Sequence, residues 1–133
     1  MSGWIGLVTL AALLFYFWTG LNVARMRGKH QVRAPAMSGH PDVERALRVQ
    51  GNTLEWLPLF LVTLWMFGAA WPQWSWIGAL IGLGWIVGRF MYMQGYMADP
   101  SKRSQGFLVQ AIAVGLLFLG SLAGVIANLI NGV

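Results

Sequence analysis

The sequence predicts an all-α integral membrane protein, a bundle of four transmembrane helices forming a single domain over residues 1–133. Three observations carry that expectation. The chain is 57% apolar and only 10% charged, with a mean hydropathy of +0.60, far from the composition of a soluble domain. Four apolar stretches each reach the ~20 residues needed to cross hydrocarbon. All nine Lys and Arg fall at or near one end of the resulting bundle, as the positive-inside rule requires of a cytoplasmic side.

Helix one is expected over 3–26. The first 24 residues carry no charge, and the basic residues follow the apolar run. A cleaved signal has them in front, so this reads as a retained membrane helix. The basic stretch 25–33 should then lie in a cytoplasmic loop, with Pro35, Gly39 and Pro41 stopping the helix.

Helix two is expected over 42–70. Asp42 and Glu44 suit its positive N-terminal end. It enters lipid near Trp56, and Pro58 removes one backbone donor and should bend it. The uncharged, Trp-rich stretch 71–76 makes a turn on the opposite side, where tryptophan anchors at the interface.

Helix three is expected over 74–97, with Gly78, Gly82, Gly84 and Gly88 allowing close approach to a neighbour. A return loop from Asp99 to Ser104 leads to helix four, over 101–131. That helix carries Gly106, Gly115, Gly120 and Gly124, and no charge follows Arg103. Both termini then lie on the side opposite the basic one. In a bacterium the membrane is the inner one.

Two polar stripes approach the basic end. Arg45, Arg48, Asn52 and Glu55 step by three, four and three residues, so they share about a quarter of a helix circumference. Trp85, Arg89, Tyr92 and Tyr96 do the same on helix three. Lipid penalises such groups, so the stripes should face other helices, a wet pocket or a ligand. Gln50 points to nearly the opposite side of its helix. Arg48, Asn52, Glu55, Arg89, Tyr92, Tyr96 and Arg103 together fit a zwitterionic, multiply anionic ligand. Guanidiniums fork onto carboxylates, and a carboxylate in the same pocket holds an ammonium.

Other chemistries are disfavoured. Cysteine is absent, which removes disulfides, thiolate metal sites and a Cys nucleophile. His30 and His40 lie in a loop with no carboxylate at useful spacing, so neither a triad nor a metal site is expected. There is no phosphate-binding glycine fingerprint and no basic soluble module for nucleic acid. Plainer readings stand beside the ligand reading. Arg25, Arg27, Lys29 and Arg33 set topology. Arg45 pairs with headgroups or with Asp42. Glu55 makes a structural salt bridge with Arg48 or Arg89. Tyr92 and Tyr96 are ordinary interfacial aromatics, and Gln110 makes an interhelical hydrogen bond.

Two stretches resemble the MAPEG family, the membrane-associated proteins in eicosanoid and glutathione metabolism. One is the segment 44–60, with Arg45, Arg48, Gln50, Asn52 and Glu55 followed by Pro58-Leu59-Phe60. The other is Arg89-Phe90-Met91-Tyr92-Met93-Gln94-Gly95-Tyr96, with Arg103 seven residues beyond. The likeness is greatest to the cysteinyl-leukotriene synthase and microsomal glutathione transferase branch. It implies a homotrimer in the lipid bilayer with glutathione, as co-substrate, bound between subunits near the cytoplasmic face. Arg48, Asn52, Glu55, Tyr92 and Tyr96 would hold it, with Glu55 at the α-amino group and Arg48 at a carboxylate. Arg89 of the convergent set is counted with them. Gln50 and Arg27 would come from the adjacent subunit. Arg103 resembles the arginine that stabilises the thiolate. The chain departs from the branch at Trp56, where a tyrosine is usual, and in its return loop, where Lys102 competes with Arg103. Tyr92 occupies the prostaglandin synthase branch's histidine position, which argues against that isomerase.

The expected activity is therefore glutathione transfer. A free thiol titrates near ~8.5, and an always-charged guanidinium beside it favours the nucleophilic anion. An apolar small-molecule electrophile is the expected partner substrate, and peroxidase activity on lipid hydroperoxides is compatible with the same thiolate. Two other classes remain open: a transporter or channel with Arg48, Glu55 and Arg89 as an ion relay, and a non-catalytic membrane protein that binds glutathione or lipid.

Overall fold

The computed structural model describes residues 1–133. Four helices follow one another: α1 (Gly3–His30), α2 (Pro41–Ala70), α3 (Ser75–Ala98) and α4 (Ser104–Ile130). Single 3₁₀ turns at Pro72–Trp74 and Pro100–Arg103 lead into α3 and α4. There is no strand, and all four helices are long and apolar enough to cross a membrane. The protein is an integral, multi-pass, all-helical membrane protein.

The helix ends differ from expectation in two places. α1 runs on to His30, so Arg25, Arg27 and Lys29 ride on a helix end rather than in a loop. There Arg27 and Lys29 also meet the negative pole of the helix. The chain reverses at Gln31, in the left-handed region at φ 55°, and its amide caps the Arg27 carbonyl. α4 begins at Ser104 rather than 101, because Asp99 starts a separate turn. The Asp99 carboxylate accepts the Ser101 amide at 3.0 Å. That bond holds the Asp99 carboxyl below the usual carboxylate range. The cap is intact at neutral pH and is lost only as pH falls through the lowered value. This turn carries Lys102 and Arg103.

Cross-links at one end of the bundle fix the topology. Ser2 Oγ donates to Ser75 Oγ at 2.9 Å, and Trp71 Nε1 donates to the Gly120 carbonyl at 3.0 Å. The start of α1, the end of α2, the start of α3 and the far half of α4 therefore meet, and both termini lie at this end. Midway, the fully buried rings of Phe60 and Trp85 stack at 4.2 Å with 1° between their planes. Large apolar side chains such as Leu14, Leu59 and Leu119 point outward, as lipid contact requires. Pro58 lies within a continuous α2.

α3 and α4 approach each other through glycine. A Cβ on Gly106 would run into the Tyr92 amide nitrogen and lie 2.7 Å from the Gly88 carbonyl oxygen. Gly84 and Gly115 instead face open space, so not every glycine of the pattern serves packing. Gly106→Ala is expected to wedge α3 from α4 just beneath Tyr92. The cost is about 1–3 kcal/mol, read as a lower midpoint of thermal unfolding in detergent. An unchanged midpoint would contradict the tight crossing.

Candidate functional site

α2 presents its charged stripe outward. Arg48 and Glu55 lie 3.9 Å apart, with side chains 61% and 59% exposed. A pair that exposed contributes little to stability, and hydrocarbon cannot host it. Both groups are therefore free for a polar ligand or another protein surface. Asn52 lies between them on the same stripe and is tied to α3. Its Oδ1 accepts from Arg89 Nη1 at 2.8 Å, while Arg89 Nη2 donates to Thr53 Oγ1 at 2.7 Å. Thr53 in turn donates to the Val49 carbonyl at 2.7 Å. With its oxygen held inward, the Asn52 amide leaves its NH₂ group to donate outward.

Arg89 is completely buried, and its Nε has no partner. Its guanidinium carbon lies 4.3 Å from the centroid of the Tyr92 ring. Tyr92 is itself only 3% exposed, so a ligand reaches its edge alone. Tyr96 follows one turn on, its ring 5.6 Å from that of Tyr92. Arg103 completes the row, 5.8 Å from the Tyr96 ring and anchored to the Pro100 carbonyl at 2.7 Å. A chain of contacts thus runs from Asn52, beside Arg48 and Glu55, through buried Arg89 and Tyr92 to Tyr96 and Arg103. Chemically it offers cations at both ends, a carboxylate at one, and phenol and amide groups between.

Other residues lie elsewhere. Gln50 packs toward α1, where its Nε2 would sit 3.2 Å from a Cβ on Gly20. Arg27 donates to the Ala36 carbonyl at 2.6 Å and to that of Val32 at 3.5 Å. Neither joins that chain of contacts. Arg45 does not pair with Asp42. It donates to the Met97 and Ala98 carbonyls at 3.2 and 3.4 Å, capping the negative end of α3. Gln110 is fully buried without any hydrogen-bond partner, so the expected interhelical bond does not form. A cavity of about 540 Å³, lined by Met1, Trp65, Pro72 and Ser75 among others, lies at the opposite end and has no charged side chain.

Two features were missed by sequence reasoning. Thr53 is the second anchor of Arg89. Its neighbour Asn52 was the only hint. His30, His40 and Asp42 also come together. His30 Nε2 lies 2.9 Å from Asp42 Oδ2, and the two imidazoles stack at 3.4 Å. A carboxylate thus does stand beside both histidines. Pro41-Asp42 was legible as a helix start, but His40 caps it unseen, and His30 joins them only because α1 extends to that residue.

Four spans with a charged face at one end and a capped, basic 3₁₀ turn beside it define a small polytopic membrane protein. The MAPEG family model matches residues 5–123. An uncharacterised protein of Synechocystis sp. is 39% identical over 126 residues, 95% of this chain and 90% of its own length. Microsomal glutathione S-transferase 2 of Homo sapiens is 38% identical over 104 residues, 78% of this chain and 67% of its own length. Leukotriene C4 synthase of Cavia porcellus is 35% identical over 121 residues, 91% of this chain and 79% of its own length. The chain belongs to the MAPEG family.

Proposed function

We propose that this protein is a membrane-embedded glutathione transferase, acting as a homotrimer with glutathione bound between subunits. The observation that carries the reading is the outward-facing Arg48, Asn52 and Glu55 set, linked through Arg89, Tyr92 and Tyr96 to Arg103. The name of one relative, microsomal glutathione S-transferase 2, points to the same co-substrate.

In this reading Glu55 accepts from the ligand's α-ammonium and Arg48 donates to a carboxylate. The Asn52 amide and the Tyr96 phenol orient the tripeptide, with the edge of Tyr92 between them. Arg89, being buried, acts through Asn52 rather than by touching the ligand. Gln50 and Arg27 serve the site of the adjacent subunit, since they cannot reach that of their own. Arg103 stabilises the glutathione thiolate. The sulfur lone pair then forms a bond to an electrophilic carbon, and the displaced group leaves with the electron pair. An apolar small molecule arriving from the bilayer is the fitting electrophile. Lipid hydroperoxides are a further substrate class for the same thiolate. The basic end faces the cytoplasm, with both termini across the membrane, the inner one in a bacterium.

The ion-relay reading is less well supported. Arg48 and Glu55 project from the outer face of α2, and only Arg89 lies inside the bundle.

Glutathione conjugation of an activated aryl chloride by the detergent-purified protein tests the proposal, with Glu55→Gln alongside. Conjugate should form, and the variant should bind glutathione about tenfold or more weakly, as expected for loss of a charged hydrogen bond. Wild-type affinity in Glu55→Gln would remove Glu55 from the site. Absence of both conjugate and binding at millimolar glutathione would overturn the assignment.

A further inference from the structure

We propose that His30, His40 and Asp42 form a binding site for a divalent transition-metal ion of the zinc class where α1 passes into α2. Three donors from two helix ends converge there, and their ligating atoms all lie within 4.8 Å of one another. His30 Nε2 is 2.9 Å and His40 Nδ1 3.9 Å from the same Asp42 oxygen. Tetrahedral zinc with bonds of about 2.0–2.1 Å separates its donors by about 3.3 Å. The two imidazole–carboxylate spacings bracket that value, and the imidazoles, now stacked with 11° between their planes, swing apart so that both lone pairs meet one ion.

The chemistry of the donors selects the ion. Two imidazoles and one carboxylate suit zinc and its neighbours in the first row. Calcium and magnesium prefer all-oxygen shells. The chain has nine Lys and Arg, yet none of them pairs with Asp42, whose ionic partners are the two histidines alone. Arg27, nearby in sequence, is turned away onto the Ala36 carbonyl. The fourth position faces solvent and takes water.

His40 now caps α2, its Nδ1 accepting the Asp42 amide at 3.1 Å. Turning that lone pair to a metal forfeits the cap, a modest loss beside the coordination bonds gained. Its side chain is 38% exposed, which leaves room for the turn. A bound ion would tie the last turn of α1 to the first turn of α2 and fix the connection that Arg27 braces.

The test uses the full-length, untagged protein in detergent, titrated with Co²⁺ by visible absorption and with Zn²⁺ by calorimetry. These are the only two histidines and there is no cysteine, so the spectrum has few possible sources. The expected result is one saturable ion per chain and a thermal midpoint raised by Zn²⁺. His30→Gln and His40→Asn should each weaken binding by at least about tenfold. Asparagine keeps the helix cap, so His40→Asn loses a ligand without losing the α2 start. No saturable binding up to millimolar metal, or variants that bind as the wild type does, would overturn the site.

Discussion

Replacing Arg103 with alanine is expected to slow conjugation by on the order of a hundredfold, with little change in glutathione affinity. Arg103 is exposed and its only hydrogen bond goes to the Pro100 carbonyl, so the substitution should cost stability less than about 0.5 kcal/mol. The loss therefore reports chemistry and not folding. Without the guanidinium the bound thiol reverts toward its unperturbed titration near ~8.5. The variant's rate should then climb as pH rises through that value, while the wild type has already levelled off at lower pH. Lys102, also exposed on the same turn, is the control. If Lys102→Ala shows the deficit and Arg103→Ala does not, the two residues exchange roles. A fall in affinity equal to the fall in rate would make Arg103 a binding group instead.

Arg89→Ala should have the largest effect on stability, a loss of about 3–5 kcal/mol. It removes both bonds of the guanidinium, to Asn52 and Thr53, and its contact with the Tyr92 ring. It also leaves a cavity and removes the donor from Asn52 Oδ1 and Thr53 Oγ1, although the Thr53 hydroxyl still donates to the Val49 carbonyl. Arg89→Met separates packing from positioning. Methionine fills much of the space, and apolar replacements of buried charge are often tolerated, so folding should be largely retained. Asn52 then loses the bond that orients it, and glutathione binding should weaken. Denaturation in detergent reads the first effect and a glutathione titration the second. Wild-type affinity in a folded Arg89→Met protein would show that Asn52 does not depend on Arg89.

The four helices were legible because hydropathy and the clustering of basic residues both report on the bilayer directly. The extension of α1 to His30 was not, since hydropathy falls silent once a helix leaves lipid, while backbone bonding continues through Arg25 and Arg27. Periodicity placed Arg48, Asn52 and Glu55 on one face, and Arg89, Tyr92 and Tyr96 on another. It could not say which face turns inward, and that decides why Arg48 is exposed and Arg89 is buried. Arg45 shares the first stripe by spacing but is drawn to the carbonyl end of α3, a partner 52 residues away that no local pattern reveals. The opposite heading of Gln50 was legible, because on a regular helix direction follows from number alone.

The most direct measurement is a titration of the detergent-purified protein with glutathione at neutral pH, following ultraviolet absorbance of the thiolate, with Arg103→Ala in parallel. The account predicts a saturable thiolate signal in the wild type and its loss in a variant that still binds. Saturation without thiolate absorbance, or no binding at millimolar glutathione, would contradict it.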